Sequence, residues 1–267
     1  MGTTGTPRIL LTNDDGIDAV GFRALYDALD SFAEVTAVAP ADDQSAVGRK
    51  LSREADVVEH PLGYAVHGTP GDCVVAGLDA LCPDADLVVA GCNKGANISA
   101  YVLGRSGTVS AAVESAFFGV PAIAVSMFVT GGDEANWTEL ASDPTDFRVA
   151  THAGAYLARE ALGAGVFEEA DYLNVNAPMP ENAAAEPAEM VVTRPSSFHE
   201  MRARHEDSRV HLTDGLWGRM KSGDFPDPEG TDCRALVDGK VSVSPLTAPH
   251  TTERHEALDD LAADYGN

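Results

Sequence analysis

The residues Arg8-Ile9-Leu10-Leu11-Thr12-Asn13-Asp14-Asp15-Gly16 join a short apolar run to a turn that carries two carboxylates. The apolar run has the length and composition of a buried strand, and the Asn-Asp-Asp-Gly sequence ends it. A helix is predicted next, because apolar residues then recur at the i, i+3, i+4 spacing of one helix face. These residues are Phe22, Leu25, Tyr26, Leu29 and Phe32.

The same strand-then-helix unit recurs along the chain. Strands are predicted at 35–38, 87–90, 122–125 and 172–175, with helices from Gly107 and over 149–162. Nearly continuous apolar strands that alternate with helices indicate a parallel sheet covered on both faces. We therefore predict an α/β, Rossmann-like fold with a mostly parallel sheet flanked by helices. The more polar stretches 51–67 and 191–243 are predicted to form hairpins or arms outside the main sheet, the second of them protruding from the C-terminal half.

The composition of the chain argues against two classes of partner. The chain has 18 Lys and Arg residues against 42 Asp and Glu residues, a net charge of −24. Such a chain repels nucleic-acid phosphates, so no nucleic-acid binding is predicted. No apolar run approaches the roughly 20 residues of a membrane span, so no membrane partner is predicted. A surface this acidic is typical of proteins that work in concentrated salt, and we expect a halophilic host.

The cysteines and the first residues indicate a cytoplasmic protein. The four cysteines contain no Cys-x-x-Cys pair, which argues against a zinc ribbon or a redox motif. The opening residues lack a charged start followed by an apolar core, so no secretory signal is predicted.

Polar clusters follow the predicted strands, at the ends where open parallel sheets bind ligands. Asp14 and Asp15 repel each other unless a cation compensates them, and hard oxygen ligands suit magnesium or manganese. The competing interpretation is that one Asp caps the following helix or turn. The stretch 42–45 is a second polar loop, after the second strand.

Two further clusters follow later strands. The stretch 91–97 contains two Asn residues, whose carbonyls are neutral oxygen ligands, and two glycines, which allow the backbone to approach a ligand closely. Ser106-Gly107-Thr108 precedes a helix, where free N–H groups and the helix dipole favour a phosphate. A plain N-cap by Ser106 is the alternative.

At this point eight ordered segments resemble the SurE family of survival-protein nucleotidases, over residues 8 to 250. They are Leu10-Leu11-Thr12-Asn13-Asp14-Asp15-Gly16-Ile17, Ala39-Pro40 with Gln44-Ser45, Gly68-Thr69-Pro70-Gly71-Asp72-Cys73-Val74, Val88-Val89-Ala90-Gly91-Cys92-Asn93-Lys94-Gly95-Ala96-Asn97, Ser106-Gly107-Thr108-Val109, Leu173-Asn174-Val175-Asn176, Gly230-Thr231-Asp232 and Val241-Ser242-Val243-Ser244-Pro245-Leu246.

The resemblance implies a metal-dependent phosphatase acting on nucleoside 5′- and 3′-monophosphates. It implies one divalent ion per subunit, magnesium, manganese or similar, with Asp14 and Asp15 as catalytic residues. The implied metal ligands are Asp14, Asp15, Ser45 and Asn93, and the implied phosphate-binding residues are Asn97, Ser106, Gly107 and Thr108. It also implies one SurE-like domain over 1–267, with hairpin or arm elements at about 190–245.

Members of this family form homodimers or homotetramers that exchange C-terminal arms, and a helix predicted at 253–265 fits such an arm. The stretch 181–187 is predicted to be a solvated loop. Trp137 is expected either to stack on a base at the pocket mouth or to pack at its rim.

The chain departs from the family pattern without losing a predicted ligand. Asp43 stands where the family usually has Asn and adds a carboxylate beside the pocket. Arg105 stands where the family usually has Tyr and adds a cation.

Three other classes of protein share some of these sequence features. A signalling receiver domain also has an acidic pair after its first strand, but it needs an Asp after the third strand, where this chain has Gly91-Cys92-Asn93. A haloacid-dehalogenase-like phosphatase needs Asp-x-Asp, whereas these acids are adjacent. A non-catalytic nucleotide-binding protein has the same sequence pattern as the enzyme.

Overall fold

The computed structural model describes residues 5–129, 139–180 and 188–248. Trp137, the loop predicted at 181–187 and the helix predicted at 253–265 lie outside the described residues. Among the described helices, none is both long and apolar enough to cross a membrane.

The described strands follow one another from the first apolar run to the last. They are β1 (Arg8–Thr12), β2 (Glu34–Pro40), β3 (Val57–His60), β4 (Gly63–Val66), β5 (Leu87–Lys94), β6 (Ala122–Phe128), β7 (Tyr172–Pro178), β8 (Met190–Val192), β9 (Met201–Glu206), β10 (Arg209–Asp214) and β11 (Val241–Leu246).

The described α-helices occupy the connections between these strands. They are α1 (Val20–Asp30), α2 (Pro70–Ala76), α3 (Ser99–Leu103), α4 (Gly107–Phe117), α5 (Arg148–Glu160), α6 (Leu216–Ser222) and α7 (Asp232–Val237). A π-helical turn (Gly77–Leu81) extends α2, and 3₁₀ turns lie at Pro144–Phe147 and Val166–Glu168.

The main sheet has the strand order β3-β4-β2-β1-β5-β6-β7-β11-β8. The run from β4 to β7 is parallel throughout, whereas β3 is antiparallel to β4 and β11 is antiparallel to β7. The predicted α/β, Rossmann-like fold is therefore confirmed. Strand β1 lies between β2 and β5, so the connections that follow β1 and β5 diverge to opposite sides of β1. In open parallel sheets such a reversal of strand order leaves a crevice at the carboxyl end of the strand, here that of β1.

Two apolar layers cover the sheet because successive side chains of a strand point to opposite faces. Ile9 and Leu11 belong to the layer that also contains Phe22 and Leu25 of α1. Leu10 belongs to the other layer, with Val109 of α4. All six side chains are almost fully buried, and each contributes roughly 1.5–3 kcal/mol to folding relative to an exposed position.

The placement of the first polar stretch corrects the sequence prediction. The hairpin predicted within 51–67 exists as β3 and β4, but it forms the edge of the main sheet. Strand β4 pairs in parallel with β2, with Gly63 opposite Ala37. A Cβ at Gly63 would lie 2.2 Å from the carbonyl oxygen of Ala37, so the strands meet closely at this point.

The second polar stretch, 191–243, is only partly outside the sheet. Its two ends belong to β8 and β11, which pair with each other, and β11 also pairs with β7. Val241 and Val243 are buried, which explains why this end joins the core. The part that forms a separate sheet is the hairpin of β9 and β10. One face of this hairpin carries the exposed residues Val210 and Leu212.

Candidate functional site

Asp14 and Asp15 lie directly beyond the end of β1, in a turn closed by a hydrogen bond. Asn13 Nδ2 donates to the carbonyl oxygen of Gly16 at 2.7 Å. Asp14 is buried, and its Oδ1 accepts a hydrogen bond from the hydroxyl of Thr108. Asp15 Oδ2 accepts a 2.9 Å hydrogen bond from the backbone N–H of Lys94. The two carboxylates are thus joined to α4 and to β5.

The start of α4 lies against the Asp14 carboxylate. A Cβ at Gly107 would lie 2.7 Å from both Cβ and Oδ2 of Asp14, so this close approach requires glycine. Ser106 is the N-cap of the helix, with its hydroxyl accepting a 3.0 Å hydrogen bond from the N–H of Val109. The N-cap interpretation of Ser106 therefore holds, and the capped helix end faces the acidic turn.

Burial raises the pKa of both carboxyl groups. Desolvation raises the pKa of Asp15 to about 7, and the neighbouring charge of Asp14 adds to this effect. Desolvation also raises the pKa of Asp14, although the hydrogen bond from Thr108 opposes the shift. The charge of Asp43 raises both pKa values further. An acidic pair with one carboxylate buried and the other partly buried is costly unless a cation compensates it.

The loop after β2 contacts the acidic turn through Gln44, the residue before Ser45. The N–H of Gln44 donates to the carbonyl oxygen of Asp14 at 2.7 Å. The exposed Ser45 hydroxyl donates to Asp43 Oδ1 at 2.6 Å, and its backbone N–H donates to the same oxygen at 2.7 Å. At the far end of the loop, Arg49 pairs with Glu114 on α4 at 2.8 Å.

Asn93 lies where β5 changes register against β6. The pairing shifts between Ala90 and Asn93, so β5 bulges as it reaches the site. A Cβ at Gly91 would lie 2.2 Å from the carbonyl oxygen of Val125, so the bulge requires a glycine there. Asn93 is buried, and its Nδ2 donates to the carbonyl oxygen of Gly95 at 2.6 Å.

Asn97 is held by residues that the sequence pattern did not identify as part of the site. Its N–H donates to Asn176 Oδ1 at 2.8 Å, and its carbonyl oxygen accepts from Nδ2 of Asn174 and of Asn176 at 2.8 and 3.0 Å. Its own Nδ2 donates to Ser126 Oγ at 2.9 Å. The available signal was Asn174 and Asn176 at alternate positions of an otherwise apolar strand, which places both on one face.

Asp232 is a further residue whose role the sequence pattern did not reveal. It is buried, and its carboxylate accepts hydrogen bonds from the N–H groups of Ser99 at 2.8 Å, Ser196 at 2.8 Å and Cys233 at 2.7 Å. Burial raises its pKa, although the three N–H donors oppose this shift. Ser99 has φ +65°, a strained conformation for a residue with a side chain, two positions after Asn97.

The predicted ligands fit a hard divalent cation by their chemistry. Asp14 and Asp15 supply carboxylates, Ser45 a hydroxyl and Asn93 an amide oxygen, which are the donors that magnesium and manganese prefer. Among the described residues, no three His, Cys, Asp or Glu side chains form a group able to hold a metal. A site here therefore depends on the mixed oxygen set.

Arg105, the extra cation expected near the pocket, is directed at α3. Its guanidinium lies 3.9 Å from the centre of the Tyr101 ring and donates to the Tyr101 carbonyl oxygen.

An apolar groove lies elsewhere on the molecule. It has a volume of about 770 Å³ between α5 and β11, with Tyr156, Val241 and Val243 among its lining residues. No predicted site residue lines it.

Comparisons with known proteins agree with the resemblance. The family model "Survival protein SurE" matches residues 9–202. A protein of Haloquadratum walsbyi named 5′-nucleotidase SurE is 64% identical, with 96% of each chain covered. A protein of the same name from Haloarcula marismortui is 61% identical, over 97% of this chain and 95% of its own. These haloarchaeal relatives fit the halophilic origin expected from the acidic composition.

A solved structure gives the same result. The SurE protein from Aquifex aeolicus superimposes with a TM-score of 0.75 at 28% identity, and the match covers 97% of this chain and 100% of that chain.

Proposed function

This chain belongs to the survival protein SurE family, and from this premise we propose that it is a metal-dependent phosphatase acting on nucleoside 5′- and 3′-monophosphates. Its products are the nucleoside and inorganic phosphate. The names of the relatives support 5′-nucleotidase activity. The observation that carries the proposal is the Asp14–Asp15 turn, in which the buried Asp14 contacts the start of α4.

Asp14, Asp15, Ser45 and Asn93 would hold one divalent ion, magnesium, manganese or similar. When bound, such an ion polarises a phosphoryl oxygen and lowers the pKa of a coordinated water. The chain contributes the orientation of these donors. Thr108 fixes the Asp14 carboxylate, and the N–H of Lys94 fixes that of Asp15.

The start of α4 would bind the phosphate of the substrate. The first N–H groups of a helix have no partner within the helix, and the helix dipole favours an anion there. Gly107 and Thr108 provide such N–H groups next to the acidic turn, and Ser106 caps the same end. These groups would stabilise charge on the phosphoryl oxygens in the transition state.

Asn97 would add a side-chain donor. Its amide carries two hydrogens, one of which is directed at Ser126, and the second would reach a phosphate oxygen. Since its backbone is fixed by Asn174 and Asn176, little conformational entropy would be lost when substrate binds.

The proposed site also accounts for binding of an anionic substrate by a chain of net charge −24. A divalent cation on the acidic turn would neutralise the charge of Asp14 and Asp15, and the helix start would add positive potential. The remaining negative charge covers the surface, where concentrated salt screens it.

The test is phosphate release from a panel of nucleoside 5′- and 3′-monophosphates with Mg²⁺, Mn²⁺ or Co²⁺, at low and molar KCl, with EDTA as the metal-free control. We expect turnover that EDTA abolishes. The Asp14→Asn and Asp15→Asn variants should lose most of this activity and their metal affinity. Normal turnover and normal metal affinity in both variants would mean that the metal site lies elsewhere. The absence of metal-dependent turnover on every nucleotide tested would refute the proposed phosphatase activity.

The proposed location is the cytoplasm. All four cysteines are free thiols, and three of them are buried. Unpaired cysteines are typical of a reducing compartment.

The proposed assembly is a homodimer or homotetramer with exchange of C-terminal arms. The hairpin of β9 and β10 supports it, because an isolated two-stranded ribbon is marginally stable and this one exposes Val210 and Leu212. Light scattering after size-exclusion chromatography tests it. A monomer at micromolar concentration in molar KCl would contradict the assembly.

A further inference from the structure

We propose that Asp43 is a positioning residue that turns the Ser45 hydroxyl into a cation ligand by accepting its proton in a hydrogen bond. This inference rests on the proposed function, in which Ser45 is one of the ligands. Asp43 itself is assigned no contact with the cation or the substrate.

The geometry places both donors of Ser45 on one oxygen. Asp43 Oδ1 accepts the hydroxyl of Ser45 at 2.6 Å and its backbone N–H at 2.7 Å. The first contact fixes the direction of the O–H bond, and the second fixes the backbone that carries it. Both distances are in the short range typical of hydrogen bonds to a charged acceptor.

This direction is the one that ligation requires. A serine hydroxyl has one hydrogen and two lone pairs, and a cation repels the hydrogen. When Asp43 accepts the hydrogen, the lone pairs are directed away from it. A carboxylate acceptor also increases the electron density on the hydroxyl oxygen, as carboxylate partners do for other metal ligands.

The loop that carries Ser45 is fixed to the acidic turn, while Asp43 orients the Ser45 hydroxyl. The N–H of Gln44, between these two residues, donates to the carbonyl oxygen of Asp14 at 2.7 Å. A rotation of Ser45 away from Asp43 would therefore change the direction of its hydroxyl without moving the loop. Asp42 is the natural control, since it is a neighbouring exposed carboxylate with the same charge.

The experiment measures Mn²⁺ binding directly, from the electron paramagnetic resonance signal of free Mn²⁺, without any assay of activity. It is done in 2 M KCl, where the Debye length is only about 3 Å or less and the loss of a distant charge has little effect. The variants are Asp43→Ala, Asp43→Asn and the control Asp42→Ala. Circular dichroism checks that each is folded.

We expect Asp43→Ala to weaken Mn²⁺ binding by roughly tenfold or more, the usual cost of losing a partner of a metal ligand. Asp43→Asn should recover most of the affinity, because its amide oxygen still accepts the hydroxyl proton. Asp42→Ala should match the wild type. In a Ser45→Ala background, Asp43→Ala should add no further loss.

Three outcomes would overturn the inference. One is Asp43→Ala binding Mn²⁺ within twofold of the wild type. Another is Asp43→Asn binding as weakly as Asp43→Ala, which would mean that only the charge matters. The third is that Asp43→Ala weakens Mn²⁺ binding by the same factor in the Ser45→Ala variant as in the wild type. If the wild type itself bound no Mn²⁺, the proposed metal dependence would fail first and this inference with it.

Discussion

Thr108 donates its hydroxyl proton to Asp14, which connects the first turn of α4 to the acidic turn after β1. Both side chains are buried, so water does not compete for this hydrogen bond. The contact restricts Asp14 to one orientation, in which it lies beside the N–H groups at the helix start.

Replacing Thr108 by Val should impair activity while leaving the fold intact, because Val has the same shape without the hydroxyl. A lost hydrogen bond to a charged group costs about 1.5–3 kcal/mol, which corresponds to roughly tenfold to hundredfold in kcat/KM. The measurement is steady-state phosphate release. Thr108→Ser keeps the hydroxyl and should retain most of the activity. Equal rates for the Val and wild-type proteins would mean that Asp14 needs no such donor.

Gly107→Ala should reduce activity strongly, because the added Cβ would lie 2.7 Å from Asp14 Oδ2 and force the helix and the carboxylate apart. A misplacement of about 1 Å in a catalytic group can cost about a hundredfold in rate. Gly104→Ala is the matched control, since a Cβ there meets no atom within 4 Å. Comparable activity of the two variants would contradict the close approach.

The metal-free protein should become more stable as the pH falls from 8 to 6. Burial raises the pKa of Asp15 from 3.8 to about 7, so between these values the folded chain holds a proton that the unfolded chain has released. Stability from this group is therefore lost as the pH rises through 7. Over pH 8 to 6 the gain is about 1 kcal/mol.

Denaturant titrations in EDTA would measure this gain, with Asp15→Asn as the reference because it cannot titrate. The wild type should gain more stability than Asp15→Asn on acidification. Identical pH dependence of the two proteins would show that Asp15 ionises normally.

Asp232→Asn should destabilise the protein by about 1–3 kcal/mol or more, because the new amide hydrogens would oppose a backbone N–H that the carboxylate now satisfies. Urea unfolding measures the loss. Asp238→Asn, also in the region of α7, removes only an exposed pair with Arg234 and should cost less than about 1 kcal/mol. A larger loss in Asp238→Asn than in Asp232→Asn would contradict a stabilising role for the three hydrogen bonds to Asp232.

Molar KCl should raise the melting temperature. The chain has a net charge of −24, and salt screens the repulsion between its acidic groups. Melting curves from 0.1 to 3 M KCl measure the effect, which should be largest below 1 M. An unchanged melting temperature up to molar salt would count against adaptation to a saline host.

The parallel part of the fold was predictable because it depends on local patterns. The strand at Arg8–Thr12 and the start of α4 at Gly107 agree with the sequence prediction. The polar clusters were predictable as one site because the carboxyl ends of parallel strands lie at one edge of the sheet. The position of the edge strands was not predictable from the sequence, since pairing such as that of Ala37 with Gly63 depends on contacts between distant parts of the chain.

The supports of the site were also beyond the sequence pattern. Asn174 and Asn176 hold Asn97 from almost 80 residues away, and hydrogen bonds of this range leave no periodicity. The orientation of the Thr108 hydroxyl toward Asp14, which adds a positioning contact to its predicted phosphate role, likewise required the three-dimensional arrangement.

The hydrogen bond from Ser99 to Asp232 spans 133 positions of the chain and has a consequence for protein synthesis. When all the predicted site residues, from Asp14 to Thr108, have left the ribosome, Asp232 has not yet been synthesised or is still in the exit tunnel. Its carboxylate is the group that fixes the backbone next to Asn97. Because chains emerge from their N-terminal end, the site becomes complete only when most of the polypeptide is outside the tunnel. A nascent chain therefore carries the predicted site residues well before it can hold them in their folded arrangement.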